Sequence, residues 1–214
     1  MYNKDDKIIV MASGGIDSTV ILFDLHSKGY TNVYPVILNY GQKTYDTEHK
    51  SLVSVCPFPL QNILEMDIST FYKGSSSKLL LPIDLWNDDF NEVQNDLPGR
   101  SLLLILAGLS KAKSINSAVI YFGFIDTLNV IYYDCKEEYL KKSFNLLCNE
   151  KVNFEIPLIH MSKEDVVYRG FKLNVPLGKT FSCHNNKEIH CGVCPNCLDR
   201  IRAFGELVNK WKKY

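Results

Sequence analysis

The chain has 214 residues, enough to bury a full hydrophobic core in one domain, and its 24 basic and 24 acidic side chains balance. This balance disfavours a broad basic face for long nucleic acids. No apolar run approaches the ~20 residues that cross a membrane, and the N-terminal segment MYNKDDKII, which carries acidic residues and leads directly into the first strand, is unlike a signal peptide. We therefore expect a cytoplasmic protein that has neither a membrane nor a long nucleic acid as a partner.

The first predicted elements are a buried strand, a turn of small residues and a helix. Apolar residues from Ile8 to Met11 predict the strand, and the segment from Thr19 to Leu25 has helical spacing. A glycine turn between a strand and a helix directs backbone N–H groups at an anion. The order SGGxDS differs from the P-loop and dinucleotide patterns and therefore predicts another phosphate loop. Its residues are Ser13, Gly14, Gly15, Asp17 and Ser18.

Asp17 sets this loop apart from a simple anion cradle. A carboxylate repels phosphate unless a cation or an ordered hydrogen bond lies between them, and Mg²⁺ bridges carboxylates and phosphates. The loop therefore predicts magnesium as a cofactor at Asp17. The alternative is an ordinary helix start that is capped by a serine or an aspartate, with glycines that only turn the chain.

Further strand and helix segments extend this pattern. Residues 32–42 predict a second strand that ends in a polar turn, a helical stretch with Asp46 and Glu48 follows, and residues 60–68 predict a third strand. The order β-α-β-α-β favours an α/β fold with a doubly wound parallel sheet and helices on both faces. Ligands of such folds bind beyond the carboxyl ends of the strands, where the glycine turn also lies.

Residues 72–96 break the periodicity. This polar and acidic segment of roughly 25 residues is longer than most loops of compact domains, so we expect a surface excursion, either a lid or an insertion without a role. After it, Pro98-Gly99 precedes an apolar helix, and residues 117–124 predict another buried strand. The remaining elements before the C-terminal cysteines are a helix over 135–150, an extended segment over 154–159 and a helix over 162–174 with a Ser-x-x-Asp cap.

Four of the seven cysteines lie close together near the C-terminus, at spacings of eight, three and three residues. Two interleaved CxxC steps present thiolates to one tetrahedral ion. The odd number of cysteines in the chain favours a reducing compartment. We expect a structural zinc site formed by Cys183, Cys191, Cys194 and Cys197. The alternatives are His184 or His190 in place of one cysteine, an iron–sulfur cluster, or a disulfide pair. In the helix that follows, we expect Arg200 and Arg202 to face phosphate or, as is commoner for arginine, solvent.

The SGGxDS loop resembles the pyrophosphate loop of enzymes that cleave ATP between its α and β phosphates, such as GMP synthetase and tRNA-thiolating enzymes. Further stretches resemble one family within that group, the 7-cyano-7-deazaguanine synthase (QueC) family. They are SGGIDST at Ser13, NYGQ at Asn39, LPGRS at Leu97, YDC at Tyr133, PLIHMSK at Pro157 and TFSCHN…CGVCPNCLDRIRAF from Thr180, in family order along nearly the whole chain.

The resemblance implies a Rossmann-like fold of the adenine nucleotide α-hydrolase type. The ATP-binding domain would span residues 1–179, with a zinc-binding element over 180–214 packed on the same domain. The resemblance also implies a homodimer that uses ATP, Mg²⁺ and Zn²⁺. The implied activity is that of an ATP-dependent carbon–nitrogen ligase in queuosine biosynthesis. ATP adenylates 7-carboxy-7-deazaguanine, ammonia displaces AMP to give an amide, and a second ATP converts the amide to the nitrile.

The resemblance also assigns roles to individual residues. It implies that Asp17, Arg100 and Lys163 are catalytic. It implies that the loop residues and Gln42 bind the nucleotide. Substrate binding falls to Arg100, Asp126 and Asp134, and for Arg100 and Lys163 the alternative is a surface charge at a helix start.

Three departures from the family pattern bear on the acceptor. Ser101 replaces the usual Asn, and Asn39 replaces a common Asp. In the run LNVIYYDC, Leu128 replaces an acidic residue that would pair with the N–H edge of a guanine-like base, and Asp126 is a candidate replacement. The alternatives are therefore a diverged enzyme that delivers the activated acid to another amine, for example on a protein in an antiviral or phage-related context, or a silent ATP- and zinc-binding partner subunit. A tRNA-thiolating enzyme is disfavoured by the balanced charge.

Overall fold

The structure is a computed structural model that describes residues 2–82, 96–126, 132–147, 151–185 and 188–211, with backbone alone for 209–211. In this part of the chain five parallel strands form one sheet in the order β3-β2-β1-β4-β5. The strands are β1 (Ile8–Met11), β2 (Val33–Asn39), β3 (Leu64–Asp67), β4 (Val119–Tyr121) and β5 (Asn153–Glu155). The helices are α1 (Ile16–Ser27), α2 (Tyr45–Val55), α3 (Arg100–Ile115), α4 (Glu137–Leu146), α5 (Lys163–Lys172) and α6 (Pro195–Trp211).

The strand order confirms the predicted doubly wound α/β fold. β1 is central, with Met11 paired to Val36 of β2 and Val10 paired to Tyr121 of β4. The chain builds β2 and β3 on one side of β1 and then crosses to β4 and β5 on the other. This reversal creates a crevice at the carboxyl end of β1, which is where ligands of open α/β sheets bind.

Both faces of β1 are buried, which explains its continuous apolar sequence. Ile8 and Val10 pack on one face with α1 and α5, whereas Ile9 and Met11 pack on the other with α3 and α4. Complete burial of each isoleucine contributes about 1.5–3 kcal/mol to folding. The two helices α1 and α5 are also joined by the ion pair between Asp24 and Arg169, at 2.5 Å.

The predicted element boundaries differ from the structure mainly where proline or glycine lies. The third strand does not begin at Leu60, because a 3-10 turn over Leu60–Asn62 follows Pro59. The last helix begins at Pro195, before the last cysteine and not after it as predicted, since Pro195 takes the first helical position, where its missing N–H costs nothing. The predicted cap of α5 is confirmed, because the Asp165 N–H donates to Ser162 Oγ at 3.1 Å.

The predicted excursion over 72–96 lies partly outside the described residues. In its described part Tyr72 and Leu79 are buried together with Leu97. The Tyr72 hydroxyl donates to the Pro98 carbonyl at 3.0 Å. This part of the segment is therefore packed against the domain and does not extend from it. Among the described helices, none combines the length and the hydropathy of a membrane span.

Candidate active site

The glycine loop lies between β1 and α1, at the crevice of the sheet. Gly14 has a φ of +71°, and Gly15 is the N-cap of α1. A Cβ at Gly14 would lie 2.5 Å from the Leu52 nitrogen and 2.6 Å from the Glu48 carbonyl oxygen, so that no side chain fits there. Glycine is thus required at this position for two reasons. Its φ is positive, and α2 approaches so closely that a Cβ has no space.

The loop is tied to the segment that precedes the cysteines. The Phe181 N–H donates to the Gly14 carbonyl at 3.0 Å. The buried Ser51 hydroxyl of α2 lies within hydrogen-bond distance of two carbonyls, that of Gly14 at 2.8 Å and that of Lys179 at 2.9 Å. Because the contacts of Phe181 with Gly14 and of Ser51 with Lys179 join residues more than 120 positions apart, the loop conformation depends on the C-terminal part of the chain.

Asp17 faces Lys163, the first residue of α5. The Lys163 ammonium donates to both Asp17 oxygens at 2.7 Å, and both side chains are about three-quarters buried. Lys163 therefore supplies the cation that a carboxylate beside a phosphate loop requires. Gly123, at the end of β4, makes room for this carboxylate, since a Cβ there would lie 3.1 Å from the Asp17 Cβ. Sequence reasoning missed Gly123, because an isolated glycine after a strand carries no specific signal.

Two adjoining chambers open at the loop. The larger, of about 280 Å³, extends over the ends of β1, β2 and β4 to the start of α3. The smaller, of about 180 Å³, lies between the loop, Lys163 and the segment around the first cysteine. Five residues line both chambers: Ser13, Gly15, Asp17, Glu48 and His184. The larger chamber is also lined by Gln42, by Arg100 and by every predicted loop residue except Gly14. Gly14 supports the loop from the side that faces away from the chamber.

Arg100 begins α3 at the far side of the larger chamber. Its positive charge acts on the neighbouring Tyr40 hydroxyl. Burial raises the pKa of Tyr40 to about 12, although the Arg100 charge acts in the opposite direction. The phenol is therefore a neutral partner at physiological pH, and Arg100 keeps its positive charge for an anion in the chamber.

The two aspartates predicted to bind substrate accept hydrogen bonds from helix starts. Asp134 Oδ2 accepts from the Ser101 N–H at 3.1 Å, and the N-cap of α3 is Gly99, which has no side chain to do this. Asp126 Oδ2 accepts from the Glu137 N–H at 2.9 Å, at the start of α4. Both carboxylates thus cap helices beside the larger chamber. The altered run at 128–131 lies outside the described residues, and a role of either aspartate in substrate binding stays a prediction.

Glu48 belongs to a hydrogen-bonded group that sequence reasoning did not single out. Thr44 Oγ1 donates to Glu48 Oε1 at 2.5 Å, and Gln42 Nε2 donates to Oε2 at 3.2 Å. The same amide nitrogen of Gln42 also donates to the Leu38 carbonyl, and its oxygen accepts from the Tyr40 N–H. Gln42 therefore fixes the end of β2 and orients Glu48. An acidic residue in the first turn of a helix is common, so its spacing gave no signal.

The predicted clustering of the four cysteines is confirmed. The Sγ atoms of Cys183, Cys191, Cys194 and Cys197 all lie within 4.8 Å of one another. A single ion about 2.3 Å from each sulfur would separate the sulfurs by roughly 3.8 Å, close to the 3.9 Å between Cys191 and Cys197. Backbone N–H groups donate to Cys183 Sγ at 3.3 Å and to Cys191 Sγ at 3.4 Å, as suits thiolates. The described residues thus fit one tetrahedral ion, and among them the cysteines are free of disulfides.

Neither predicted histidine alternative belongs to this cysteine group. His190 Nε2 accepts from the Ser182 N–H at 3.1 Å. The His184 ring lies between the chambers, where it contacts the Asn196 side-chain amide at 2.7 Å. Burial, followed by the charges of Arg100, Lys43 and Lys163, lowers the pKa of His184 to about 3, so that its ring is neutral. The cysteine element therefore contributes a neutral imidazole to the chambers, which its position beside Cys183 did not reveal.

Arg200 differs from the expectation of a solvated arginine. Its guanidinium donates to Thr180 Oγ1 at 2.7 Å and to the Leu177 carbonyl at 2.8 Å, and it lines the smaller chamber. Arg202 instead pairs with Glu164 at 2.7 Å on the exposed surface. Arg200 thus joins α6 to the segment that supports the glycine loop. Helical spacing alone does not distinguish the two arginines, because their environments depend on the packing of α6.

A doubly wound parallel sheet with an SGGxDS loop at its crevice defines an α/β protein of the pyrophosphate-loop class. The family model described as "Queuosine biosynthesis protein QueC" matches residues 7–208. The chain belongs to this QueC family.

Curated relatives agree with this assignment. The 7-cyano-7-deazaguanine synthase of Nautilia profundicola is 32% identical over 209 residues, which cover 92% of this chain and 93% of the relative. That of Caldicellulosiruptor bescii is 31% identical over 207 residues, 92% of each chain. Among solved structures, U34-tRNA thiolase NcsA from Methanococcus maripaludis with its 4Fe-4S cluster aligns with 98% of this chain and 67% of its own. Its identity is 15% and its TM-score is 0.47, too low to indicate a function.

Proposed function

We propose that the chain is an ATP-dependent carbon–nitrogen ligase that converts 7-carboxy-7-deazaguanine and ammonia to 7-cyano-7-deazaguanine. The single observation that carries the proposal is the placement of the glycine loop at the crevice, where Asp17 lines one chamber together with Arg100 and the adjoining chamber together with its partner Lys163. This arrangement offers donors for a pyrophosphate and a separate cation for a carboxylate. Relatives of similar length and about 30% identity carry the name of this synthase.

The reaction requires activation because an aromatic carboxylate is a poor electrophile. A substrate oxygen attacks the α-phosphate of ATP, and pyrophosphate leaves into the N–H groups of the loop. Ammonia then displaces AMP to give an amide, and a second ATP activates the amide oxygen before the nitrile forms. Positioning and charge stabilisation provide most of the catalysis, since the route needs no covalent nucleophile from the protein.

The described side chains suit distinct parts of this reaction. In our proposal Ser13, Ser18 and the loop N–H groups bind the pyrophosphate end of ATP, and Lys163 neutralises the charge that develops there. Arg100 binds the carboxylate of the substrate, beside the Tyr40 hydroxyl. Asp126 and Asp134 each accept a hydrogen bond from a helix start. We therefore propose that both act on the substrate side by holding α4 and α3 against the chamber.

Two metal ions belong to the proposal. Asp17 offers oxygen ligands for Mg²⁺, which would neutralise phosphate charge when it is bound. The four cysteines would hold Zn²⁺ in a closed shell, so its role is structural. Zinc is favoured over an iron–sulfur cluster because several iron atoms would hold the sulfurs further apart. We further propose a cytoplasmic homodimer, with an ATP-binding domain over 1–179 and the zinc-binding element over 180–214 packed on it.

The test is a mass-resolved assay with purified, zinc-replete protein, ATP, Mg²⁺, 7-carboxy-7-deazaguanine and ammonia. We expect the amide and then the nitrile to appear with AMP, and we expect the acid to support exchange of labelled pyrophosphate into ATP without ammonia. AMP release without amide or nitrile would contradict the synthase and favour transfer to another amine. The absence of both exchange and products would instead favour a silent binding subunit.

A further inference from the structure

The proposed reaction has a proton requirement that the loop and its cations do not meet. When ammonia attacks the acyl adenylate, the nitrogen of the adduct must lose a proton before AMP leaves. Nitrile formation then removes two further protons from the same nitrogen. A positioned base in the chamber would accelerate each transfer by about 10²–10⁴-fold.

The described lining of the two chambers contains two carboxylates, those of Asp17 and Glu48. Both Asp17 oxygens are already engaged by the Lys163 ammonium at 2.7 Å, in a contact that the proposed function requires. Glu48 lies on α2 and lines both chambers, so its carboxylate borders the space in which an activated acid and ammonia can meet.

The partners of Glu48 leave it able to accept a proton. One oxygen accepts from Thr44 at 2.5 Å and the other from Gln42 at 3.2 Å, both neutral donors. Each carboxylate oxygen has a further lone pair, and these two contacts hold the group in one orientation. Burial raises the pKa of Glu48, while the hydrogen bonds from Thr44 and Gln42 and the charge of Arg100 oppose that rise.

We propose that Glu48 is the general base for the nitrogen of the acceptor. This inference rests on the proposed function. As the C–N bond forms, the adduct nitrogen transfers a proton to Glu48, and the C–O bond to AMP breaks with its electron pair on the phosphate oxygen. Glu48 then releases the proton to water. After the second adenylation the same carboxylate takes one N–H proton to leave the neutral imidate and releases it to water. It then takes the last N–H proton as the C–O bond to AMP breaks and the C≡N bond forms.

The test separates adenylation from nitrogen transfer in the Glu48→Gln variant. Glutamine keeps the size of the side chain but does not accept a proton at neutral pH. We expect acid-dependent pyrophosphate exchange to stay within about threefold of the unaltered protein, and amide formation to fall by about 10²-fold or more. Hydroxylamine should still give the hydroxamate, because the nitrogen of its adduct is more acidic and loses its proton to water.

Two further variants complete the experiment. Glu138→Gln removes a carboxylate of the same kind from an exposed pair with Lys142, and it should leave both reactions unchanged. Glu48→Asp keeps a carboxylate and should recover part of the amide formation.

Two results would overturn the inference. One is normal amide formation by Glu48→Gln. The other is loss of pyrophosphate exchange by a Glu48→Gln protein with an unchanged melting temperature, which would assign Glu48 to adenylation. Absence of exchange in the unaltered protein would be the separate failure of the proposed function.

Discussion

The two sides of the space that the adjoining chambers form are built in different ways. The loop wall consists of the glycine loop, the start of α5 with Lys163 and the segment from Lys179 to Cys183. The α3 wall consists of Tyr40, the start of α3 with Arg100, and Asp134 and Cys135. In the loop wall, backbone and charged groups are joined across the chain and directed at the chamber. In the α3 wall, one arginine lines the chamber while Asp134 caps a helix.

This difference indicates how the two walls depend on the rest of the molecule. The loop wall forms only when the N-terminal motif and the C-terminal cysteine element are both in place, because Phe181, Ser51 and Arg200 connect them. The α3 wall depends on one hydrogen bond, the cap that Asp134 forms at the start of α3. Damage to the cysteine element should therefore reach the loop wall first, and substitutions in the α3 wall should have smaller and more local effects.

The largest effect is expected from loss of the metal. In Cys194→Ser three thiolates remain, and we expect metal content and acid-dependent pyrophosphate exchange to fall by more than about 10²-fold, with a melting temperature lowered by about 10 °C or more. The control is Cys56→Ser, which alters a partly buried thiol outside the cluster and should keep the metal. Elemental analysis measures the metal content, calorimetry measures the melting temperature, and labelled pyrophosphate measures the exchange. Full exchange activity in a metal-free Cys194→Ser protein would show that the loop wall is independent of the cysteine element.

The next effect concerns the loop itself. Gly14→Ala adds a Cβ at positive φ and within 2.6 Å of two backbone atoms of α2. We expect a loss of at least about 3 kcal/mol in the free energy of unfolding together with loss of pyrophosphate exchange.

Gly29 provides the matched control, because it has a φ of +77° and a Cβ there would meet no atom within 4 Å. Gly29→Ala should cost only about 1 kcal/mol, the conformational part of the effect, and should leave exchange intact. Equal losses in the two variants, measured by urea unfolding, would contradict a steric requirement at Gly14.

The sequence predicted the loop wall better than the α3 wall for a physical reason. SGGxDS is a continuous motif, and its strand, turn and helix fix the positions of Ser13, Gly15 and Asp17 locally. Likewise, the spacing of the cysteines was enough to predict their clustering. The pairing of Asp17 with Lys163, by contrast, joins residues 146 positions apart, so only the fold brings them together.

The roles of Glu48, His184 and Arg200 had no local signal. Each of them belongs to a common sequence pattern, an acidic helix start, a histidine beside a metal ligand and a charged helix residue. What distinguishes them is burial at the chambers, which depends on how α2 and α6 pack. The cap that Asp134 forms was not predicted, for the same reason. It takes the place of the side-chain cap that Gly99 cannot provide, and Asp134 lies 33 residues from Ser101 in the sequence.

The next effect is expected in activity more than in stability, within the loop wall. Asp17→Asn keeps the size of the side chain but removes the charge that faces Lys163. We expect pyrophosphate exchange to fall by about 10²–10³-fold, with a loss of stability of about 1 kcal/mol because Lys163 loses its charged partner. The matched control on the same helix is Asp24→Asn, which breaks the pair with Arg169 and should cost about 1 kcal/mol of stability without loss of exchange. A stable Asp17→Asn protein with normal exchange would remove Asp17 from the catalytic residues.

The smallest effect is expected in the α3 wall and decides what Asp134 does. If Asp134 serves α3 as a cap, Asp134→Asn keeps an oxygen for the Ser101 N–H and stays close to the unaltered protein, whereas Asp134→Ala loses about 1 kcal/mol. We expect this pattern, with the KM for 7-carboxy-7-deazaguanine changed less than about threefold in Asp134→Asn, because a cap requires an acceptor but no negative charge. A large rise of KM in both variants at unchanged stability would instead mean that the carboxylate contacts the substrate. In that case the two walls would share the recognition of ligands, and Arg100 would no longer be the sole charged group by which the described α3 wall holds the acid.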